Sequence, residues 1–346
     1  MPQEYRLPPI FVAGSGRSGT TWVGETIASC SGCIAVFEPL HPNSVAETPR
    51  WGVHCGFPGP YMRAGGFYPV WEAFFDALLA GKISNSWTRR DWTRVPKPLT
   101  RWWLTERIGY RLARIRHRQQ AMRANRYVIK EIRANLMLDW LASYTGARIV
   151  YLIRHPCAVI GSQLRQKEQA WVAELDEIFC QPPLMSDFLE PFRRTMSGAT
   201  TPLERQAVRW CVENFVPFSQ AGSKDWLLCC YEEFISDRDG TFGRVFRSLG
   251  VEPTSVTEKA KKLVVSNPTH DLNTTRPWHA PLSEAEGEVV LRICEDFSLR
   301  LYGRQRMPLC TPRELVDSAF VGHSPRGGST GNAISSGLTE VAKPYS

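Results

Sequence analysis

Glycines, a guanidinium and four hydroxyls crowd one short stretch, Gly14-Ser15-Gly16-Arg17-Ser18-Gly19-Thr20-Thr21-Trp22. An apolar run at residues 9–13 precedes it, and helical spacing follows over Thr20–Ala28, with Trp22, Val23 and Ile27 on one face. A glycine-rich turn between a strand and a helix lets successive backbone N–H groups converge on an anion, and the helix start favours negative charge. Gly14 and Gly19 have the spacing of a Walker A loop. Yet Thr20 stands where the Walker lysine belongs, and the cation, Arg17, lies inside the loop. A second apolar run, Ala147–Ile153, ends in Arg154 rather than in the acid that reaches Mg²⁺ in a nucleotide triphosphatase. A phosphate cradle at one strand end and a second cation at another, with no obvious metal ligand, point to a nucleotide with two separate phosphate groups, handled without a metal.

Three more groups stand near strand ends. Glu38 and His41 follow the run Ala35-Val36-Phe37, and Lys130 closes Tyr127-Val128-Ile129. Open α/β sheets place their chemistry at the carboxyl ends of strands. A carboxylate or imidazole there can accept a proton, and an ammonium can stabilise an anionic group in transfer.

The elements that must hold these groups alternate along the chain. Strands are expected at 9–13, 35–37, 127–129, 147–153 and 226–231. Helices are expected at 20–28, 71–80, 104–123, 135–144, from about 158, 203–220, 240–249, 256–264 and 284–301. That order predicts an α/β fold: a single P-loop-like three-layer domain over 1–310, its parallel sheet flanked by helices, with a basic, helical insertion at 85–126. From 311 to 346 the chain is Gly/Ser-rich and is expected to be a mobile C-terminal tail.

Four blocks in this order resemble the sulfotransferases that use 3′-phosphoadenosine 5′-phosphosulfate. Arg17-Ser-Gly-Thr-Thr-Trp22 is similar to their 5′-phosphosulfate loop. Tyr151-Leu-Ile-Arg-His-Pro-Cys-Ala-Val-Ile-Gly-Ser162 is similar to their 3′-phosphate motif. Tyr231-Glu-Glu-Phe234 resembles a Tyr-Glu-Asp-Leu segment, and Phe37-Glu-Pro-Leu-His41 resembles the carbohydrate-type members, to which the motifs are closest. The resemblance implies transfer of a sulfonate to a hydroxyl or amine, of a carbohydrate or glycolipid acceptor, leaving adenosine 3′,5′-bisphosphate and needing no metal. It implies that Gly16, Arg17, Ser18, Gly19, Thr20, Thr21 and Trp22 surround the 5′ end. Arg17 would stabilise the leaving phosphate, and Arg154 with Ser162, read as a hydroxyl at a helix start, would hold the 3′-phosphate. Tyr231 would lie by the adenine, and Arg276 near the 3′-phosphate. Glu38 stands where carbohydrate-type and tyrosylprotein-type members carry a glutamate base, with His41 as second choice and Lys130 on the sulfonate. The cytosolic small-molecule members use a histidine two residues beyond a lysine; here that position is Ile132, which argues against a phenol or steroid acceptor.

The chain of 346 residues carries a net charge of +8 and 43% hydrophobic residues, so it has ample material for a core. Its basicity is concentrated: residues 85–126 hold eleven arginines and one lysine against Asp91 and Glu106. With Trp87, Trp92, Trp102 and Trp103 this segment also suits a nucleic-acid-binding module, the non-enzyme rival; a P-loop nucleotide kinase is the enzyme rival. A basic, aromatic insertion between the donor motifs fits an acceptor lid equally, and no nucleic-acid partner is expected. No run approaches the ~20 apolar residues of a membrane span or the length of a signal peptide. The ten cysteines show no framework spacing beyond one CxxC, Cys30–Cys33. The expectation is a cytoplasmic protein with reduced thiols and no stable membrane insertion.

Overall fold

The structure, a computed structural model, describes residues 7–41, 51–53, 55–83, 115, 119–121, 123–166, 173–222, 224–252 and 282–320. Most of the basic insertion at 85–126, the expected helix at 256–264, and Arg276 lie outside the described residues. Five strands, β1 (Ile10–Ala13), β2 (Cys33–Phe37), β3 (Arg126–Lys130), β4 (Arg148–Ile153) and β5 (Leu227–Cys230), form one sheet in the order β2-β3-β1-β4-β5. Every pairing is parallel. All five carboxyl ends therefore share one edge. The chain crosses from one side of β1 to the other between β3 and β4, which opens a crevice at that edge.

Side chains of a strand alternate between faces, and here both faces are apolar. Ile10, Val12, Val128, Val150 and Leu152 build one core with α1 (Thr20–Ala28) and α7 (Arg238–Leu249). Phe11, Ala13, Ile129, Ile149, Tyr151 and Ile153 build the other. That second face is covered by α2 (Pro69–Leu79), α3 (Leu138–Thr145), α4 (Pro156–Leu164), α5 (Pro202–Ala221) and α8 (Glu284–Asp296). The expected three-layer α/β domain is what the chain forms.

Two details differ from expectation. Residues expected as one helix from 135 begin with a 3₁₀ turn, Asn135–Met137, and Tyr231 opens the helix α6 (Tyr231–Ser236) instead of ending β5. The larger correction concerns the tail: residues 311–320 are part of the fold. Helix α9 (Pro312–Ala319) starts from a capping box in which Thr311 accepts from the Glu314 amide and Glu314 returns the bond. Val316 and Phe320 are buried, and the Phe320 ring lies 5.4 Å from that of Phe215 on α5. The signal was present in Thr311-Pro-Arg-Glu314, the same pattern as Thr201-Pro-Leu-Glu204 at the start of α5.

Candidate active site

The loop after β1 is shaped by close backbone approach. Gly14 has φ of 142°, and a Cβ on it would stand 2.1 Å from the Leu152 carbonyl oxygen. Gly19 has φ of 92°, and a Cβ there would meet the Tyr231 ring at 2.5 Å. Arg17 also takes a positive φ, 76°. Three groups outside the loop hold it. Asn135 Oδ1 accepts from the Gly14 amide at 3.0 Å, Gln163 Nε2 donates to the Gly16 carbonyl at 2.8 Å, and Asn214 Nδ2 donates to Ser15 Oγ at 3.1 Å. Gln206 of α5 donates in turn to Gln163. None of these amides stands out in the sequence, because each acts across more than a hundred residues or from within a helix.

Arg17, Ser162, Arg154 and Tyr231 come together beside this loop. Arg17 Nε donates to Ser162 Oγ at 3.1 Å, and Arg154 Nη1 donates to the Arg17 carbonyl at 3.1 Å. The Arg154 guanidinium lies 4.3 Å over the Tyr231 ring, a cation–π contact. Ser162 stands in the last turn of α4, not at a helix start. Partial burial, and then the Arg154 and Arg165 guanidiniums, lower the Arg17 pKa from its ordinary value. Like charges gathered in this way call for an anion between them. Two further features suit one. Helix α1 begins at Gly19, whose N-cap position carries no side-chain cap hydrogen bond among the described residues. The Ser18 hydroxyl is fully buried with no hydrogen-bond partner among the described residues. Thr20 is buried and Thr21 exposed in the first turn of α1. The Trp22 ring packs in the core edge-on to Tyr231, Phe234 and Phe242 and reaches the site through Tyr231.

A second cluster sits at the ends of β2 and β3. The Lys130 ammonium touches one oxygen of Glu38, and Arg133 Nη1 lies 3.3 Å from the other; all three side chains are buried. Burial works to raise the Glu38 pKa, but the charge and hydrogen bond of Lys130 and the charge of Arg133 outweigh it and hold the carboxyl below its ordinary value. Burial, then Arg133, lower His41 to about 4, so its imidazole is neutral at neutral pH. The Lys130 stem passes α1 at Gly24, where a Cβ would stand 3.3 Å from Lys130 Cβ. Arg133 and the fully buried Glu131, three and one residues beyond, belong to the same cluster. Neither carries a signal of its own in the sequence. Among the described residues no group of three or more His, Cys, Asp or Glu side chains could hold a metal ion, and all ten cysteines are free.

A family model described as "Sulfotransferase family" matches residues 8–255, spanning both clusters. The chain belongs to the sulfotransferase family. This sulfotransferase matches no curated protein significantly. Solved structures similar to it include the sulfotransferase domain from the curacin biosynthetic pathway, at 15% identity over 91% of this chain and 98% of that one, with a TM-score of 0.42. The sulfotransferase domain of the Synechococcus PCC 7002 olefin synthase aligns at 16% identity over 84% and 94%, TM-score 0.43. A sulfotransferase from Mycobacterium tuberculosis H37Rv aligns at 15% identity over 85% and 77%, TM-score 0.39. The family catalyses sulfonate transfer and implies 3′-phosphoadenosine 5′-phosphosulfate as donor. The likeness to carbohydrate-type members rests on the motif alone. In this sulfotransferase no described helix is long and apolar enough to cross a membrane.

Proposed function

We propose that this enzyme transfers the sulfonate of 3′-phosphoadenosine 5′-phosphosulfate to a hydroxyl or amine of a carbohydrate or glycolipid, with Glu38 as proton acceptor. The observation that carries the reading is the placement of two unlike clusters on one sheet edge. The Arg17–Ser162–Arg154 group beside a buried Ser18 hydroxyl that is unpartnered among the described residues suits a two-ended anion, and the Glu38–Lys130 pair suits proton transfer. When bound, the donor supplies the sulfonate and a good leaving group.

The chain's residues divide the work. Backbone amides from Gly16 to Thr21 and the Ser18 hydroxyl hold the 5′-phosphate. Arg17 neutralises the charge that builds on the leaving oxygen. Arg154 and Ser162 hold the 3′-phosphate, with bidentate capacity in the guanidinium, and Tyr231 lies by the adenine; Arg276 is kept as a further donor contact on the motif alone. Lys130 turns from Glu38 to the sulfonate as it moves. Losing that cation makes Glu38 a stronger base when the acceptor hydroxyl, acidified by the forming O–S bond, releases its proton. Neutral His41 is the alternative acceptor beside it.

The test is transfer of labelled sulfonate across glycan, glycolipid and phenol acceptors, repeated with Glu38→Gln. Glu38→Gln is expected to lose about 10²- to 10⁴-fold in turnover while binding adenosine 3′,5′-bisphosphate normally. Undiminished turnover removes Glu38 as base, and transfer to phenols alone removes the carbohydrate reading.

A further inference from the structure

We infer that Glu131 is a positioning residue that clamps the turn bearing Glu38 and His41 to the turn bearing Lys130 and Arg133. The inference rests on the reading of those turns as the reacting side of the site, and it concerns a residue to which that reading gives no role.

The turn after β2 is not self-supporting. Glu38 takes φ of 41°, a left-handed backbone that a glutamate rarely adopts. Such a conformation persists only where its surroundings over-determine it. The Glu38 amide donates to the Lys130 carbonyl at 2.7 Å, and the His41 amide closes the turn on the Glu38 carbonyl at 3.1 Å. The Glu38 carboxylate meets Lys130 and Arg133, and a further tie is Glu131: Leu40 N donates to Glu131 Oε2 at 2.8 Å. The other carboxylate oxygen, Oε1, accepts from Arg133 N at 3.0 Å. One side chain thus joins the amide of the β2 turn to the amide of the β3 turn, one oxygen to each. Its own backbone is fixed to the sheet, because Glu131 N donates to the Val12 carbonyl at 3.1 Å.

The residue type matters. Two converging N–H donors require two acceptors, and a carboxyl group presents two oxygens, each of which keeps a lone pair to accept. A glutamine would set its NH₂ against one of the amides. The side chain is wholly buried, where an ionisable group is costly unless it is tied by such bonds. A glutamine or a hydrophobe would be the cheaper choice if packing alone were at stake.

The test needs no acceptor. Histidine side-chain NMR titrations are compared for the full-length wild type, Glu131→Gln and Glu131→Asp, with adenosine 3′,5′-bisphosphate binding measured by calorimetry on each. Glu38, Arg133 and Lys130 are the charged groups that act on His41, and in the clamped turn it titrates near 4. Release of the turn carries the imidazole away from Arg133 toward solvent and raises its titration by one unit or more in both variants. Burial pushes Glu131 up to about 7, so near pH 4 it is already neutral, Glu131→Gln leaves the charge around His41 unchanged, and a rise reports displacement. Bisphosphate affinity within twofold of wild type shows that the donor side and the fold are intact. His41 titrating at the wild-type value in either folded variant overturns the clamp. Failure of the wild type to bind the bisphosphate overturns the donor reading instead, and the His41 comparison still decides the clamp.

Discussion

Lys130 and Glu38 meet across the ends of two adjacent parallel strands. The register pairs Phe37 with Lys130, so Glu38 stands one residue beyond, with its amide on the Lys130 carbonyl and its carboxylate against the Lys130 ammonium. Arg133 is the second cation on the same carboxylate. The depressed Glu38 pKa means that this pairing contributes stability above the unfolded carboxylate value, and that the contribution is lost as pH falls through the folded pKa.

Lys130→Met keeps the stem and removes the charge. Glu38 is left with Arg133 alone, its pKa rises, and the acid limb of the turnover profile moves to higher pH. Removing one partner of a buried pair costs about 3–5 kcal/mol, read as a lower denaturant midpoint.

Arg154→Ala is expected to weaken adenosine 3′,5′-bisphosphate by about 10- to 100-fold, the worth of a charge-assisted bond. Adenosine 5′-phosphate, which lacks the 3′ group, should change far less. Calorimetry with both nucleotides checks this, and equal losses would move Arg154 away from the 3′-phosphate.

Three glycines of positive φ, Gly14 and Gly19 in the loop and Gly146 at the end of α3, predict a ranked series. Gly146→Ala meets nothing within 4 Å and bears only the left-handed backbone penalty, about 1–2 kcal/mol. Gly19→Ala adds a collision with the Tyr231 ring, and Gly14→Ala a collision with the less yielding Leu152 backbone. Stability should fall in that order, and Gly19→Ala should also weaken nucleotide binding.

Phe320→Ala tests the C-terminal helix. Phe320 is 3% exposed and sits on Phe215 and Phe218. Emptying that site should cost about 3–5 kcal/mol in urea unfolding, whereas a mobile tail would register no change.

Buried Glu131 and half-buried His41 give stability opposite slopes with pH. Glu131 is pushed by burial from 4.5 up to about 7, so its contribution is present below 4.5 and is lost as pH rises through 7. His41 is lowered from 6.5 to about 4, so stability is lost as pH falls from 6.5 through 4. His41→Gln should flatten the acid side of a urea-unfolding profile and Glu131→Gln the neutral side. A profile that keeps its wild-type slope in either variant contradicts the corresponding shift.

The loop Gly14–Gly19 and the strand ends at Glu38, Lys130 and Arg154 could be located from residue type and local period, because turn chemistry and strand alternation act between near neighbours, whereas Tyr231 is marked by the resemblance of Tyr231–Phe234 to a family motif. Helix α1 follows its sequence pattern residue for residue. The Thr311–Glu314 capping box was equally local, but the Gly/Ser-rich composition after residue 320 masked it. What the chain could not state by itself is which groups share a space. Arg133 and Glu131 join Glu38 because parallel pairing of β2 with β3 lays two turns side by side. Ser162 reaches Arg17 because α4 leaves the neighbouring strand end. Asn135, Gln163 and Asn214 support the loop across 121, 147 and 199 residues of sequence. Local propensity decides the elements, whereas the charges and hydrogen bonds that set protonation act through space, and only the packed sheet defines those distances.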